Sequence, residues 1–95
     1  MDEFRKIFKG KRILVTGGTG SIGSEIVKQL LKYEPRQIRI YSRDDSKQFN
    51  LQQELDEEKN KKLLRFLIGD IRDKDRLSRA FNDIDIVFHA AALKH

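Results

Sequence analysis

Residues 12–23 are Arg12-Ile13-Leu14-Val15-Thr16-Gly17-Gly18-Thr19-Gly20-Ser21-Ile22-Gly23, and the organisation of the chain can be worked out from them. The first five are nearly all apolar, which is typical of a strand covered on both faces in a parallel sheet. After the glycines, apolar residues recur at helical spacing and end before Pro35, which cannot continue a helix. We place on one helix face Ile22, Ile26, Val27, Leu30 and Leu31. The stretch therefore predicts a strand, a tight turn and a helix in direct succession.

Three glycines, Gly17, Gly20 and Gly23, stand at intervals of three residues in this stretch. Glycine permits a turn with positive φ, lets phosphates approach the backbone, and lets a helix pack closely on a strand. Unpaired N–H groups and the positive end of the helix dipole would then face an anion. No Gly-Lys-Ser/Thr follows to make a nucleoside-triphosphate loop. We predict that the turn holds the diphosphate of a dinucleotide; the alternative is a glycine-rich turn without a ligand.

Strand and helix patterns alternate along the rest of the chain. We predict strands at 38–41, 63–68 and 84–88, and helices at 4–8, 47–58 and after a capping Asp73. The helix at 47–58 has few apolar residues, so we expect it to be largely exposed, with a solvated lysine-rich loop at 59–62. Because such alternation produces parallel sheets, the fold class is α/β. We expect about four strands with flanking helices, the first half of a Rossmann-type parallel sheet.

Composition and charge argue against several other classes. The 95 residues suffice for one small domain, whereas a complete dinucleotide fold needs about six strands, so we expect a truncated, N-terminal part of such a domain. The absence of cysteine excludes disulfides and thiolate metal sites, and we expect no metal. The net charge of +5 is scattered among acidic residues, and no apolar run is long enough to span a membrane. We expect a cytoplasmic protein with no nucleic-acid or membrane partner.

The end of the second predicted strand identifies the dinucleotide. Arg43 lies twenty residues after Gly23, where folds of this kind place the residue that contacts the ribose. An acidic residue there would favour NAD, whereas an arginine can pair with the 2′-phosphate of NADP. Ser42 and the helix start at 45–47 could add donors, although Asp44 would stand beside the same phosphate. We predict NADP; the alternative is that Arg43 is an exposed loop residue.

Four segments, at 13–25, 41–44, 69–73 and 89–95, carry a resemblance to a known family. They read ILVTGGTGSIGSE, YSRD, GDIRD and HAAALKH. The first resembles the opening of extended short-chain dehydrogenases/reductases. Together they resemble the UDP-N-acetylglucosamine 4,6-dehydratases of bacterial polysaccharide and flagellin-glycan biosynthesis. The resemblance covers nearly the whole chain.

The resemblance implies a role for each matching residue. The pyrophosphate would lie along residues 19–22, the 2′-phosphate and ribose along 42–47, and the adenine amino group at Asp70. Asp70 could instead be a turn or capping residue, the alanines at 90–92 could be core packing, and Lys94 could be a solvated lysine. The predicted cofactor-binding residues are Gly17, Thr19, Gly20, Ser21, Ile22, Gly23, Ser42, Arg43, Asp44, Asp45, Ser46, Lys47, Asp70, Ile71, Ala90, Ala91 and Ala92, with Lys94 at a cofactor or substrate phosphate.

The reaction implied by the resemblance is redox-neutral: oxidation at C4 of a UDP-sugar, loss of water across C5 and C6, and reduction at C6. The family's Tyr-x-x-x-Lys pair is absent, because Gln37 and Asp45 stand four residues after Tyr33 and Tyr41. We therefore expect no catalytic residue in this chain. Two alternatives stay open: a nucleotide-sugar 4-epimerase, which shares the glycine turn, and a non-enzymatic NADP-binding module. Half a sheet exposes an edge, so we expect a homo-oligomer.

Overall fold

The computed structural model describes residues 2–17 and 19–90. Within them the helices are α1 (Asp2–Phe8), α2 (Ser21–Leu30), α3 (Asp45–Glu54), α4 (Glu58–Leu63) and α5 (Lys74–Ala80), with a 3-10 turn at Leu31–Tyr33. The strands are β1 (Arg12–Thr16), β2 (Gln37–Ser42), β3 (Leu64–Ile68) and β4 (Ile86–His89). No helix among the described residues combines the length and hydrophobicity that a bilayer crossing needs.

The strands form one parallel sheet in the order β3-β2-β1-β4. This is the order of the first four strands of a doubly wound sheet, so the predicted Rossmann-type half-sheet is confirmed. β1 is hydrogen-bonded on both sides, and the register places Ile13 between Ile38 and Ile86. Because β1 is central and covered on both faces, Ile13, Leu14 and Val15 are all fully buried.

Alternate residues of the strands face two separate hydrophobic clusters. On one face Ile13, Val15, Ile38 and Ile40 pack against helices α2 and α3. The other face carries Leu14 and Tyr41, which pack against Ala80 of α5. Helices therefore cover both faces of the sheet, as the apolar sequence of β1 predicted.

The buried side of α2 is narrower than its sequence pattern suggested. Gly23, Val27 and Leu30 are buried at helical spacing, and Ile26 packs at their margin. The prediction that Ile22 lies on this buried face is wrong, because its side chain is 71% exposed. It precedes Gly23 by one residue, which rotates it by about 100° around the helix and away from the sheet.

The segment between β2 and β3 differs most from its prediction. α3 begins at Asp45 because the Asp44 carboxylate accepts a hydrogen bond from the Lys47 N–H at 3.0 Å, and it ends at Glu54. Residues 59–62, predicted as a solvated loop, instead belong to α4, and Asn60 is buried. Glu58 in the first turn of α4 and two lysines in its last turn complement the helix dipole.

Two strands, β3 and β4, also begin later in the sequence than predicted. β3 begins at Leu64, because Leu63 completes α4. β4 begins at Ile86 rather than Ile84, whose N–H donates to the Phe81 carbonyl and so closes the turn after α5. The start of β4 is fixed by Asp85, whose carboxylate accepts the Arg12 N–H at 2.9 Å.

We expect Ile40→Ala to reduce the free energy of unfolding by about 2–5 kcal/mol, because the side chain is fully buried between β1 and the helices and its loss leaves a cavity. Phe49→Ala is the matched control, since Phe49 is 60% exposed on α3 and should change stability by no more than about 0.5 kcal/mol. Urea unfolding measures both. Equal losses for the two variants would contradict this description of the core.

Candidate functional site

The carboxyl ends of all four strands lie along one edge of the sheet, because the strands are parallel. The segments that leave this edge are the glycine turn after β1 and the loops after β2, β3 and β4. From β1 the chain continues to β2 and β3 on one side and later crosses to β4 on the other. A crevice forms where the direction of winding reverses in this way, and open α/β sheets bind ligands there. The glycine turn therefore lies at the topological switch point.

Gly17 begins the turn in a conformation that favours glycine, with a φ of +70°. Its N–H donates to the Tyr41 carbonyl at 2.8 Å, which continues the β1–β2 pairing past the end of the strand. The Gly20 N–H then donates to the Gly17 carbonyl at 3.1 Å and closes the turn. The turn is thus set by backbone hydrogen bonds and by one positive φ.

Gly20 differs from Gly17, because nothing in the described part of the chain requires glycine there. Its φ is −72°, which other residues adopt readily. A Cβ at this position would meet the Gly17 carbonyl oxygen at 3.6 Å, an ordinary van der Waals distance. Glycine at this position therefore places no side chain in front of the first turn of α2.

Within residues 2–17 and 19–90, the helices that begin at this edge are α2, α3 and α5. Of these three, α2 is the one without a side-chain cap. Asp44 caps α3 and Asp73 caps α5, and each of these helices has a further aspartate in its first turn. In α2, Gly20 provides no side-chain cap, and the first turn carries no acidic residue. The first N–H groups of a helix need acceptors, and an anion can supply them. The N-terminus of α2 is therefore suited to an anion.

A buried hydrogen-bond network joins the glycine turn to the ends of β2 and β3. The Thr19 hydroxyl donates to the Ser42 hydroxyl oxygen at 3.3 Å. Gln48 of α3, only 2% exposed, donates through its amide to that oxygen at 2.9 Å and to the Leu67 carbonyl at 2.8 Å. The network fixes the predicted residues Thr19 and Ser42 relative to each other.

A polar groove of about 280 Å³ separates the start of α2 from α3. Its lining includes Thr19 and Ser21 on one side and Lys47 on the other. Asp45 and Ser46 are exposed in the first turn of α3, and the Lys47 N–H is engaged by Asp44. Lys47 can therefore offer its side-chain ammonium group to the groove, because its N–H is already used.

The loops after β2 and β3 meet in a cluster of charged side chains. Arg43 follows β2, is 74% exposed, and lies with Nη1 3.5 Å from Oδ2 of Asp70. Arg72 donates to the same carboxylate through Nη2 at 2.8 Å and Nε at 3.1 Å. Hydrogen bonds from Arg72 hold the pKa of Asp70 well below its usual range, with a smaller contribution from the charge of Arg43. The predicted residues Arg43 and Asp70 are thus brought together.

The backbone of the loop after β3 is held by Tyr41 of β2. The Tyr41 hydroxyl donates to the Asp70 carbonyl at 2.8 Å. A Cβ on Gly69 would lie 2.4 Å from that hydroxyl oxygen, so only glycine fits against the ring. The hydroxyl is protonated as a donor at neutral pH, and burial raises the pKa of Tyr41 further above its ordinary value. Ile71, next along the loop, is 36% exposed and presents an apolar side chain at the surface.

On the other side of the switch point, β1 and β4 end together. The Ala90 N–H donates to the Thr16 carbonyl at 2.9 Å, and Thr16 Oγ1 lies 2.6 Å from Nδ1 of His89. Ala90 therefore lies beside the start of the glycine turn. The predicted residues Ala91, Ala92 and Lys94 lie outside the described residues.

Three residues that shape the site were not predicted as part of it: Tyr41, Gln48 and Arg72. Tyr41 and Arg72 belong to sequence segments that carried the family resemblance, so a signal existed but no role was assigned. Gln48 had no such signal. It is a buried polar residue in a helix whose sequence predicts exposure, and its partners lie on two different strands.

Residues 13–95 match the family model described as polysaccharide biosynthesis protein. The chain belongs to this family. The resemblance inferred from its sequence motifs is thereby confirmed, and the glycine turn, Arg43, Asp70 and Ala90 all lie within the matched region.

Curated relatives of this chain have several descriptions. A UDP-N-acetylglucosamine 4,6-dehydratase (inverting) of Campylobacter jejuni is 53% identical and covers 94% of this chain and 26% of the relative. A UDP-glucose 4-epimerase of Rickettsia bellii is 41% identical, and the match covers 93% of this chain and 26% of the relative. An uncharacterised membrane protein of Methanocaldococcus jannaschii is 55% identical, covering 98% and 27%. The chain spans about a quarter of the length of these relatives.

Solved structures agree with the fold. Pen from Bacillus thuringiensis superposes with a TM-score of 0.85 at 48% identity, covering 93% of this chain and 27% of that one. The Bordetella bronchiseptica enzyme WbmF in complex with NAD⁺ superposes with a TM-score of 0.65 at 26% identity, covering 92% and 24%. The second structure shows that a similar half-sheet belongs to a protein with a bound dinucleotide.

We expect Gly17→Ala to lower the free energy of unfolding by roughly 1–2 kcal/mol, because alanine is strained at positive φ. Gly20→Ala should change it by less than about 1 kcal/mol, because the backbone is ordinary and the added methyl group meets no close contact. Urea unfolding of the two variants, which carry the same substitution three residues apart, provides the comparison. A larger loss for Gly20→Ala would mean that the fold itself requires glycine there.

Proposed function

We propose that this chain binds NADP(H) at the carboxyl edge of its sheet. It would form the cofactor-binding part of a nucleotide-sugar 4,6-dehydratase that acts on a UDP-N-acetylglucosamine-like sugar in polysaccharide or glycan biosynthesis. The observation that carries the proposal is the N-terminus of α2, which has no side-chain cap and no acidic residue in its first turn and follows a turn closed by Gly17 and Gly20. Such a helix end suits a diphosphate, because unpaired N–H groups and the dipole both favour negative charge.

The proposed preference for NADP depends on the end of β2. Arg43 is largely exposed and, within the described residues, pairs only with Asp70 at 3.5 Å, so its guanidinium is available to a 2′-phosphate. Lys47 supplies a second positive charge from the groove beside Thr19 and Ser21. Asp44 keeps its negative charge beside this position, and its carboxylate is directed to the Lys47 N–H as the cap of α3. The charges thus favour a cofactor with an extra phosphate.

The remaining contacts follow from position along the edge. Asp70 and Ile71 would hold the adenine, as a hydrogen-bond acceptor and an apolar surface. Ala90, Ala91 and Ala92 would pass beside the cofactor, and Lys94 would reach a phosphate. All of these contacts stay predictions. When bound, the nicotinamide supplies a hydride acceptor for the sugar and returns the hydride later in the same turnover. The residues of this chain bind and orient that group.

Two further functions deserve a test. A 4-epimerase is supported by the Rickettsia bellii relative at 41% identity, whereas the dehydratase is supported by a relative at 53%. A non-enzymatic NADP-binding module would keep the same turn and cluster. A homo-oligomer and a cytoplasmic location also stay predictions, and one relative is described as a membrane protein.

The cofactor can be tested by isothermal titration of the full-length protein with NADP⁺ and NAD⁺. We expect NADP⁺ to bind more tightly, and Arg43→Ala to reduce the ratio of the two affinities by roughly tenfold, through loss of charge-assisted hydrogen bonds to the 2′-phosphate. Arg36→Ala is the control, because this exposed arginine precedes β2 at the opposite edge of the sheet. Tighter binding of NAD⁺, or an equal effect of the control, would overturn the assignment.

The reaction can be tested by incubating the full-length protein with UDP-N-acetylglucosamine. A dehydratase should release a 4-keto-6-deoxy product whose mass is lower by one water. An epimerase should give a product of unchanged mass with inverted C4, and a binding module should give neither. Mass spectrometry and NMR of the nucleotide-sugar distinguish the three outcomes, and only the first supports the dehydratase.

A further inference from the structure

The carboxylate of Asp70 is held by two arginines in unequal ways. Arg72 donates to Oδ1 through its backbone N–H at 2.9 Å and through Nε at 3.1 Å, and to Oδ2 through Nη2 at 2.8 Å. Arg43 approaches Oδ2 alone, at 3.5 Å. Arg72 thus grips both oxygens, whereas Arg43 makes one long contact.

These contacts can be compared with the hydrogen-bonding capacity of the group. A carboxylate has about four acceptor sites, two on each oxygen. Arg72 fills both sites on Oδ1 and one on Oδ2. The remaining site on Oδ2 faces Arg43, the more weakly bound partner. If Arg43 turns to another anion, a single acceptor site on Asp70 becomes free, and its direction is set by Arg72.

We propose that Arg72 is a positioning residue for the adenine base: it orients Asp70 so that the Oδ2 site contacted by Arg43 in the free protein accepts the 6-amino group of the bound cofactor. This inference rests on the proposed function, and adds to it a residue that acts through another. Binding of the 2′-phosphate would then be coupled to recognition of the base, because the phosphate draws Arg43 away from the site that the amino group needs.

The surroundings of Asp70 support this role. The carboxyl is an ionised acceptor at neutral pH, and the same hydrogen bonds from Arg72 lower its already acidic pKa further. Its backbone carbonyl is held separately by Tyr41, which fixes the loop independently of Arg72. Arg72 is itself 80% exposed and contributes little to packing, so its removal should disturb the side chain of Asp70 more than the fold.

The test compares NADP⁺ with its deamino analogue, nicotinamide hypoxanthine dinucleotide phosphate, in titrations of the full-length protein. The analogue has a carbonyl oxygen in place of the 6-amino donor, so we expect it to bind roughly tenfold more weakly to the wild type. In Arg72→Ala the two affinities should differ by less than about threefold, because Asp70 keeps the backbone N–H of residue 72 at Oδ1 but loses both side-chain hydrogen bonds that orient Oδ2. Arg72→Gln keeps side-chain bulk and one donor group, so its affinity ratio should lie between those of the wild type and Arg72→Ala. Arg79→Ala, an exposed arginine on α5, is the control and should keep the full ratio.

Each outcome has a separate meaning. If the wild type binds neither nucleotide, the proposed function fails before the inference is reached. A second outcome is that the wild type binds NADP⁺ more tightly than the deamino analogue while Arg72→Ala lowers both affinities by the same factor. The ratio of the two affinities is then unchanged and Arg72 acts only through its charge, which overturns the inference. Retention of the full ratio in both Arg72 variants would overturn it as well. Loss of the ratio in these variants alone, with Arg79→Ala unaffected, supports it.

Discussion

The position of β1 between β2 and β4 is the constraint on which the other features depend. Its parallel hydrogen bonds place Thr16 level with Tyr41 on one side and with His89 on the other. The turn that follows Thr16 therefore opens between two neighbouring strand ends, and all the loops that could contact a ligand leave from the same edge. A slip of one residue in this register would exchange the two faces of a strand, because side chains alternate with a period of two. Register and site are thus determined together.

The helix ends at this edge show how stability and binding are divided. Capping carboxylates stabilise α3 and α5, and such caps typically contribute about 0.5–2 kcal/mol each. α2 lacks this contribution, although an aspartate in place of Gly20 would be well suited to provide it. A carboxylate there would occupy the N–H groups and repel an anion. The fold is therefore less stable than it could be at the one helix end where a phosphate is proposed to bind.

Much of the fold could be predicted from residues whose constraints are local. The apolar run of β1, the positive φ of Gly17 and the cap at Asp73 each depend on a few neighbouring residues, and all are found as predicted. The errors arise where packing against distant parts of the chain determines which side chains are buried. Ile22 has the right spacing for the buried face but lies one residue beyond it, and residues 59–62 form a helix that buries Asn60. In the site, the proximity of Arg43 to Asp70 follows from the order of the strands. The hydrogen bonds from Arg72 to Asp70 depend on side-chain geometry, which the spacing of residues in the sequence does not predict.

The contact between Gly69 and the ring of Tyr41 limits how these two positions can change over time. A side chain at 69 would collide with the phenol, whereas loss of the phenol would release the carbonyl of Asp70 and open space beside Gly69. Substitution at 41 can therefore precede substitution at 69, but the reverse order passes through a sterically blocked intermediate.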